Sequence, residues 1–227
     1  MAGETTIQGP LRAGSPLRTP RAAALAGIIF SVLLTSALVL LIVSVPPHPA
    51  VPGEWLTDSR RRAAVAIALN LVPFAGIAFL WFIGVLRDKI GEREDRFFAT
   101  VFLGSGLLFV MLIFVASAVA GGLIAQANSA SPGTTDLSLG RDISSILVNV
   151  YAMRMAAVFT LTTVTIARRT EIVSRWLTVV GLVSALVLFV AVGFSPWVEL
   201  LFPAWILALS VDILVAGLRA AAVATPG

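Results

Sequence analysis

The chain has 227 residues, 58% of them hydrophobic and only 12% charged, with a formal net charge of +4. A mean hydropathy of +0.98 excludes an ordinary soluble domain, and the lack of cysteine excludes disulfides, thiol catalysis and thiolate metal sites. The basic pI, about 10.9, does not point to nucleic acid, because the arginines mostly flank apolar runs, where topology and anionic head groups favour them.

Residues 1–21, "MAGETTIQGPLRAGSPLRTPR", are rich in Pro, Gly, Ser and Thr and read as a disordered tail. Its Ser15-Pro16 and Thr19-Pro20 pairs are possible phosphorylation sites. The apolar run that follows, Ala22–Val45, is longer than the roughly 7–15 residues of a signal-peptide core and reads as a membrane span. Five more runs follow at Ala63–Leu86, Phe97–Ala125, Ile143–Ile166, Trp176–Phe194 and Leu200–Leu218. Each is about the length that crosses a hydrocarbon core of roughly 30 Å. Helices are required, since backbone groups in lipid must be satisfied within the segment and no barrel-like alternation is present. The expected fold is all-α: one transmembrane domain of six helices over residues 22–218, with a short tail at 219–227.

The connections differ in character. "PPHPAVPGEW" is stiff and proline-rich, and "RDKIGERED" is a solvated loop of mixed charge. "QANSASPGTTDLSLGRD" reads as a polar connector whose Asp142 caps the fourth helix. "SPWVE" reads as a tight hairpin turn. With a cytoplasmic N-terminus, the inner segments hold eleven Lys and Arg residues, the outer loops four, and Arg154 completes the sixteen. That bias predicts both termini inside. The discordant element is "SRRR" at 59–62, on the outer end of the second span.

Four strongly polar residues interrupt the spans: Asn70, Asn149, Arg154 and Asp212, all on the second, fourth and sixth helices. Counted from the outer ends of those spans, Arg154 and Asp212 both lie about 17–18 Å deep, and Asn70 and Asn149 about 9–10 Å. A mid-membrane Arg costs on the order of 2.5–3.5 kcal/mol on insertion scales, and a carboxylate at its level would offset that through a charge-assisted hydrogen bond. The expectation is therefore an interior Arg154–Asp212 pair below a layer of amides. Tyr151, Thr162 and Thr165 share the face of Arg154. Such a pair serves either a binding site or a structural clamp, and a partner from another subunit for Arg154 is a third option. Pro73, three residues after Asn70, removes a backbone donor. "ASAVAGG" at 116–122 offers small residues four apart for close helix approach.

Hydrolytic chemistry is poorly provided for. The single histidine, His48, sits among prolines outside the spans, so no membrane Ser-His dyad or His-based zinc site can form. Asp212 has no second carboxyl at its expected depth for an aspartyl dyad, and no phosphate-binding loop is present. The chain is expected to be non-enzymatic, without cofactor or metal.

The stretch "PFAGIAFLWFIGVLRDKIGEREDRFFATVFLGSGLLF" is similar to a group of uncharacterised multi-pass membrane proteins of actinobacteria, through Trp81-Phe82, Arg87-Asp88 and Phe97-Phe98. The resemblance covers about a sixth of the chain. It implies a bacterial plasma membrane and no particular activity. Two functions fit the sequence: a small transporter or channel-like protein with a wet polar interior, or a scaffold or accessory subunit with a closed core. Its contacts would be the lipid bilayer and a membrane-protein partner or a second copy of itself, with no nucleic acid.

Overall fold

The computed structural model describes residues 19–45, 54–90, 96–127, 134–170, 174–191 and 193–223. The expectations for the N-terminal tail and for His48 and its prolines fall outside these residues, as do those for 91–95 and 128–133. Among the described residues every regular element is helical. In chain order these are α1 (Thr19–Ser44), α2 (Glu54–Thr57), α3 (Ser59–Ile90), α4 (Arg96–Ala127), α5 (Thr134–Ile146), a π turn (Leu147–Ala152), α6 (Met153–Thr170), α7 (Arg175–Val190), a 3₁₀ turn (Pro196–Leu200) and α8 (Leu201–Val223). Five segments are long and apolar enough to cross a membrane: Arg21–Ser44, Ser59–Arg87, Phe97–Gln126, Leu137–Arg168 and Pro196–Arg219. The all-α bundle is as expected. The fifth expected span is the exception, because α7 has 16 residues, about 24 Å against roughly 30 Å of hydrocarbon.

The bundle is held by phenylalanines. α1 packs along α3 and α8, α4 lies against α3 and α6, and α7 lies on α6 and touches α8. Phe30 of α1, Phe79 and Phe82 of α3, Phe102 and Phe109 of α4, Phe159 of α6 and Phe202 of α8 are all fully buried. Their rings interlock along the axis, with Phe30–Phe79 centroids 4.4 Å apart, Phe79–Phe159 5.0 Å and Phe109–Phe202 4.8 Å. In lipid, water exclusion does not drive helices together, so dispersion and ring geometry must do so. Edge-to-face and offset ring pairs contribute about 0.5–1.5 kcal/mol each. Close approach also needs glycine where helices cross. A Cβ on Gly106 would collide with Ile83 and Phe159, and one on Gly181 with Trp205 and Val164.

Two expectations for the connectors are corrected. The polar connector before the fourth span is helical from Thr134 onward, so Asp142 lies inside α5 and caps nothing. Helix α3 begins at Ser59, which puts the arginine cluster in its first turn. Asp58 precedes it, accepting hydrogen bonds from the Arg60 and Arg61 amides at 2.9 and 3.4 Å and an ion pair from Arg61 Nε at 3.6 Å. Arg62 donates to the Leu56 carbonyl at 3.2 Å. From Phe79 to Arg62 is seventeen residues of helix, about 25 Å, well beyond half a bilayer. A second apolar cluster of Trp55, Leu56, Val65, Leu123 and Leu137 sits at this end. The discordant arginines thus belong to the capped start of α3.

Candidate functional site

The polar residues of the spans can be located from their partners. Val164 of α6 and Trp205 of α8 both abut Gly181 of α7, so these three positions share one level. α6 and α8 run parallel, with α7 antiparallel between them. Arg154 lies ten residues to one side of this level and Asp212 seven to the other, which at about 1.5 Å per residue places them roughly 25 Å apart along the bundle.

The expected Arg154–Asp212 pair does not form. Arg154 is exposed, and its guanidinium donates to the Val150 carbonyl of its own helix at 2.6 Å. Asp212 is half-buried and accepts from the backbone N–H of Ser174 at 3.3 Å and its hydroxyl at 3.5 Å. Neither has an ion-pair partner among the described residues. The error lay in treating Ile143 and Leu200 as one level. α5, the π turn and α6, of 13, 6 and 18 residues, run end to end from Thr134, whereas α8 begins about four residues short of the Val164 level, well past the middle of that rod.

The amide layer is likewise not assembled. Asn70 donates to the Ala66 carbonyl at 2.8 Å, and Asn149 to the Ser145 carbonyl and hydroxyl at 3.1 Å each. Each satisfies itself on its own helix, and both bonds are exposed. Thr160, Thr162, Thr163 and Thr165 also donate to the carbonyl four residues back, at 2.7–2.8 Å. Tyr151 is 54% exposed. Asn149, Tyr151 and Arg154 follow one another on and just after the π turn of a single helix, Asn149 half-buried and the other two exposed. Wider turns of this kind are often found at functional sites. Helical side chains lean toward the N-terminus, so this guanidinium leans outward. Arg154 is fourteen residues, about 21 Å, outward of Arg168.

Hydrogen bonds between helices from side chains are few among the described residues. They include Ser144 to the Ala116 carbonyl at 3.1 Å, Trp205 to the Leu177 carbonyl at 3.3 Å, and the Ser174–Asp212 contacts. Ser210, fully buried against Gly27, has no partner for its hydroxyl.

Two further residues matter. Ser174, directly before α7, was legible as a helix-start residue, though Asp212 supplies the acceptor and its own side chain does not. Glu199 is 6% exposed in the 3₁₀ turn and has no hydrogen bond or ion pair among the described residues. The small-residue stretch "ASAVAGG" does not mediate packing at its glycines, since a Cβ on Gly121 or Gly122 would meet nothing. No cluster of His, Cys, Asp and Glu fit to hold a metal occurs among the described residues. Comparison with protein-family models, with curated proteins and with solved structures finds no match.

Proposed function

We propose that the chain is a non-catalytic membrane scaffold or accessory subunit with a closed core, and that it works through contacts on its outward-facing surfaces. The observation that carries this reading is the phenylalanine plug. Seven fully buried rings from α1, α3, α4, α6 and α8 occupy the position a solute path would need, while Asn70, Asn149 and Arg154 bond within their own helices and Asp212 is taken up by Ser174 at the start of α7. A transporter site is built the other way, with polar groups converging on the midplane. Two exposed features support surface contact: Tyr151 and Arg154 beside the π turn, and the open glycines Gly121 and Gly122 on α4.

The setting we infer is a bacterial plasma membrane with the arginine-rich end in the cytoplasm. Antiparallel packing of α1 on α8 through Gly27 and Ser210 puts the first and last described residues at that same end, along with Arg21, Arg87, Arg168, Arg175 and Arg219. The test is reconstitution in liposomes. Flux of protons, sodium, potassium, chloride and a neutral amino acid is expected to match that of empty vesicles. A protein-dependent flux that Phe79→Ala enlarges would overturn the closed-core reading.

A further inference from the structure

At the arginine-rich end, α6 and α7 part to leave an open cleft of about 710 Å³, lined by Ala167, Arg168, Ser174, Arg175, Thr178, Val179 and Leu182. Its two ends differ. Arg168 closes α6, Arg175 opens α7, and both are exposed. Neither has a hydrogen bond or ion pair among the described residues. Along α7 the lining then turns apolar at Val179 and Leu182, which are 60% and 46% exposed on the lipid-facing side. Arg175 to Leu182 is seven residues, about 10 Å, from the head-group zone into the acyl region. The Ser174 N–H and hydroxyl are already taken by Asp212, and the Thr178 hydroxyl donates to the Ser174 carbonyl at 3.4 Å. The two guanidiniums are therefore the groups available to an incoming anion. Asp212 does not line the cleft and meets it only through Ser174.

We propose that this cleft binds an anionic phospholipid, with Arg168 and Arg175 on the head-group phosphate and the start of an acyl chain against Val179 and Leu182. The paired-cation rim suits a phosphate, because guanidinium forks match its oxygens two at a time, and basic pockets between helices on the cytoplasmic side are where such head groups dock. A soluble phosphate would gain nothing from the apolar wall, whereas a lipid uses both ends. The volume falls within the range of small-molecule sites. The site is independent of the closed-core reading.

The test uses the full chain purified in a neutral detergent, with phosphatidylglycerol, phosphatidylcholine of the same acyl chains, or inorganic phosphate added. Thermal unfolding is then followed. At about tenfold saturation phosphatidylglycerol should raise Tm by about 3–6 °C, while phosphatidylcholine and inorganic phosphate leave it unchanged. Arg168→Gln with Arg175→Gln should abolish the shift. Arg87→Gln with Arg219→Gln, which removes equal charge from the same end outside the cleft, should keep it. If the double cleft variant does not fold, Arg168→Gln and Arg175→Gln are measured singly, and each should at least halve the shift. An equal shift from phosphatidylcholine or inorganic phosphate, or a shift that survives in the cleft variants or vanishes in the Arg87 and Arg219 variant, would overturn the proposal.

Discussion

The axis of the bundle and the outer flank of α6 are built from opposite materials. Along the axis, rings from five helices meet with no charged group among them, the Ser210 hydroxyl being buried beside Phe82 and Gly27, and each ring is held by neighbours on several sides. On the flank, an amide, a phenol and a guanidinium stand on a single helix across a π turn, each exposed or half-exposed. The usual expectation for a membrane bundle with intramembrane charge is a polar inside and an apolar outside. Here both the axis and most of the outer surface are apolar and the guanidinium faces outward, which teaches that charge within a span is not by itself evidence of an interior pathway. An exposed Arg that donates to a carbonyl of its own helix, as Arg154 does to Val150, needs no carboxylate within its own chain.

The sharpest way to break this comparison is at the axis. Phe79→Ala removes a ring that contacts Phe30, Phe82, Phe109, Phe159 and Phe202, and a loss of about 3–5 kcal/mol is expected, read as a fall in the thermal midpoint in detergent. Next in size is Gly181→Val, where added methyls must displace Trp205 and Val164. It should cost about 1–3 kcal/mol and weaken the Trp205–Leu177 hydrogen bond, visible as a change in tryptophan fluorescence. Asp212→Ala removes the acceptor for the start of α7 and should cost about 0.5–2 kcal/mol. On the flank, effects should be small: Arg154→Leu and Asn70→Leu are each expected to change stability by less than about 0.5 kcal/mol. Because Arg154 and Asp212 lie roughly 25 Å apart, their combined change should equal the sum of the single changes within about 0.5 kcal/mol. Coupling above 1 kcal/mol between them would restore the ion pair.

The class of the fold was legible because lipid leaves few options: long uncharged runs with arginine at their ends admit only helices. Helix lengths were less legible. Polarity alone could not tell that Thr134–Asp142 is helical, since a helix outside the lipid can be polar on every side. That misreading set the fourth span's outer end at Ile143, and the depth of Arg154 followed it into error. The burial of Glu199 was not legible, because a position beside a turn says nothing about which helix folds over it. The phenylalanines were visible as composition, but their convergence was not, as it depends on registers that glycines at 27, 106 and 181 permit.

The shortness of α7 has a consequence for the surrounding bilayer. Its 16 residues end at Val190, and the chain then passes through bends to the 3₁₀ turn with Phe194 86% exposed. Backbone carbonyls leaving a helix must find water, so a layer roughly 30 Å thick would have to thin by about 6 Å beside this hairpin for α7 to span it. Each ångström of such mismatch costs a fraction of a kcal/mol. The protein should therefore favour thin patches of membrane and gather with neighbours that share the same indentation.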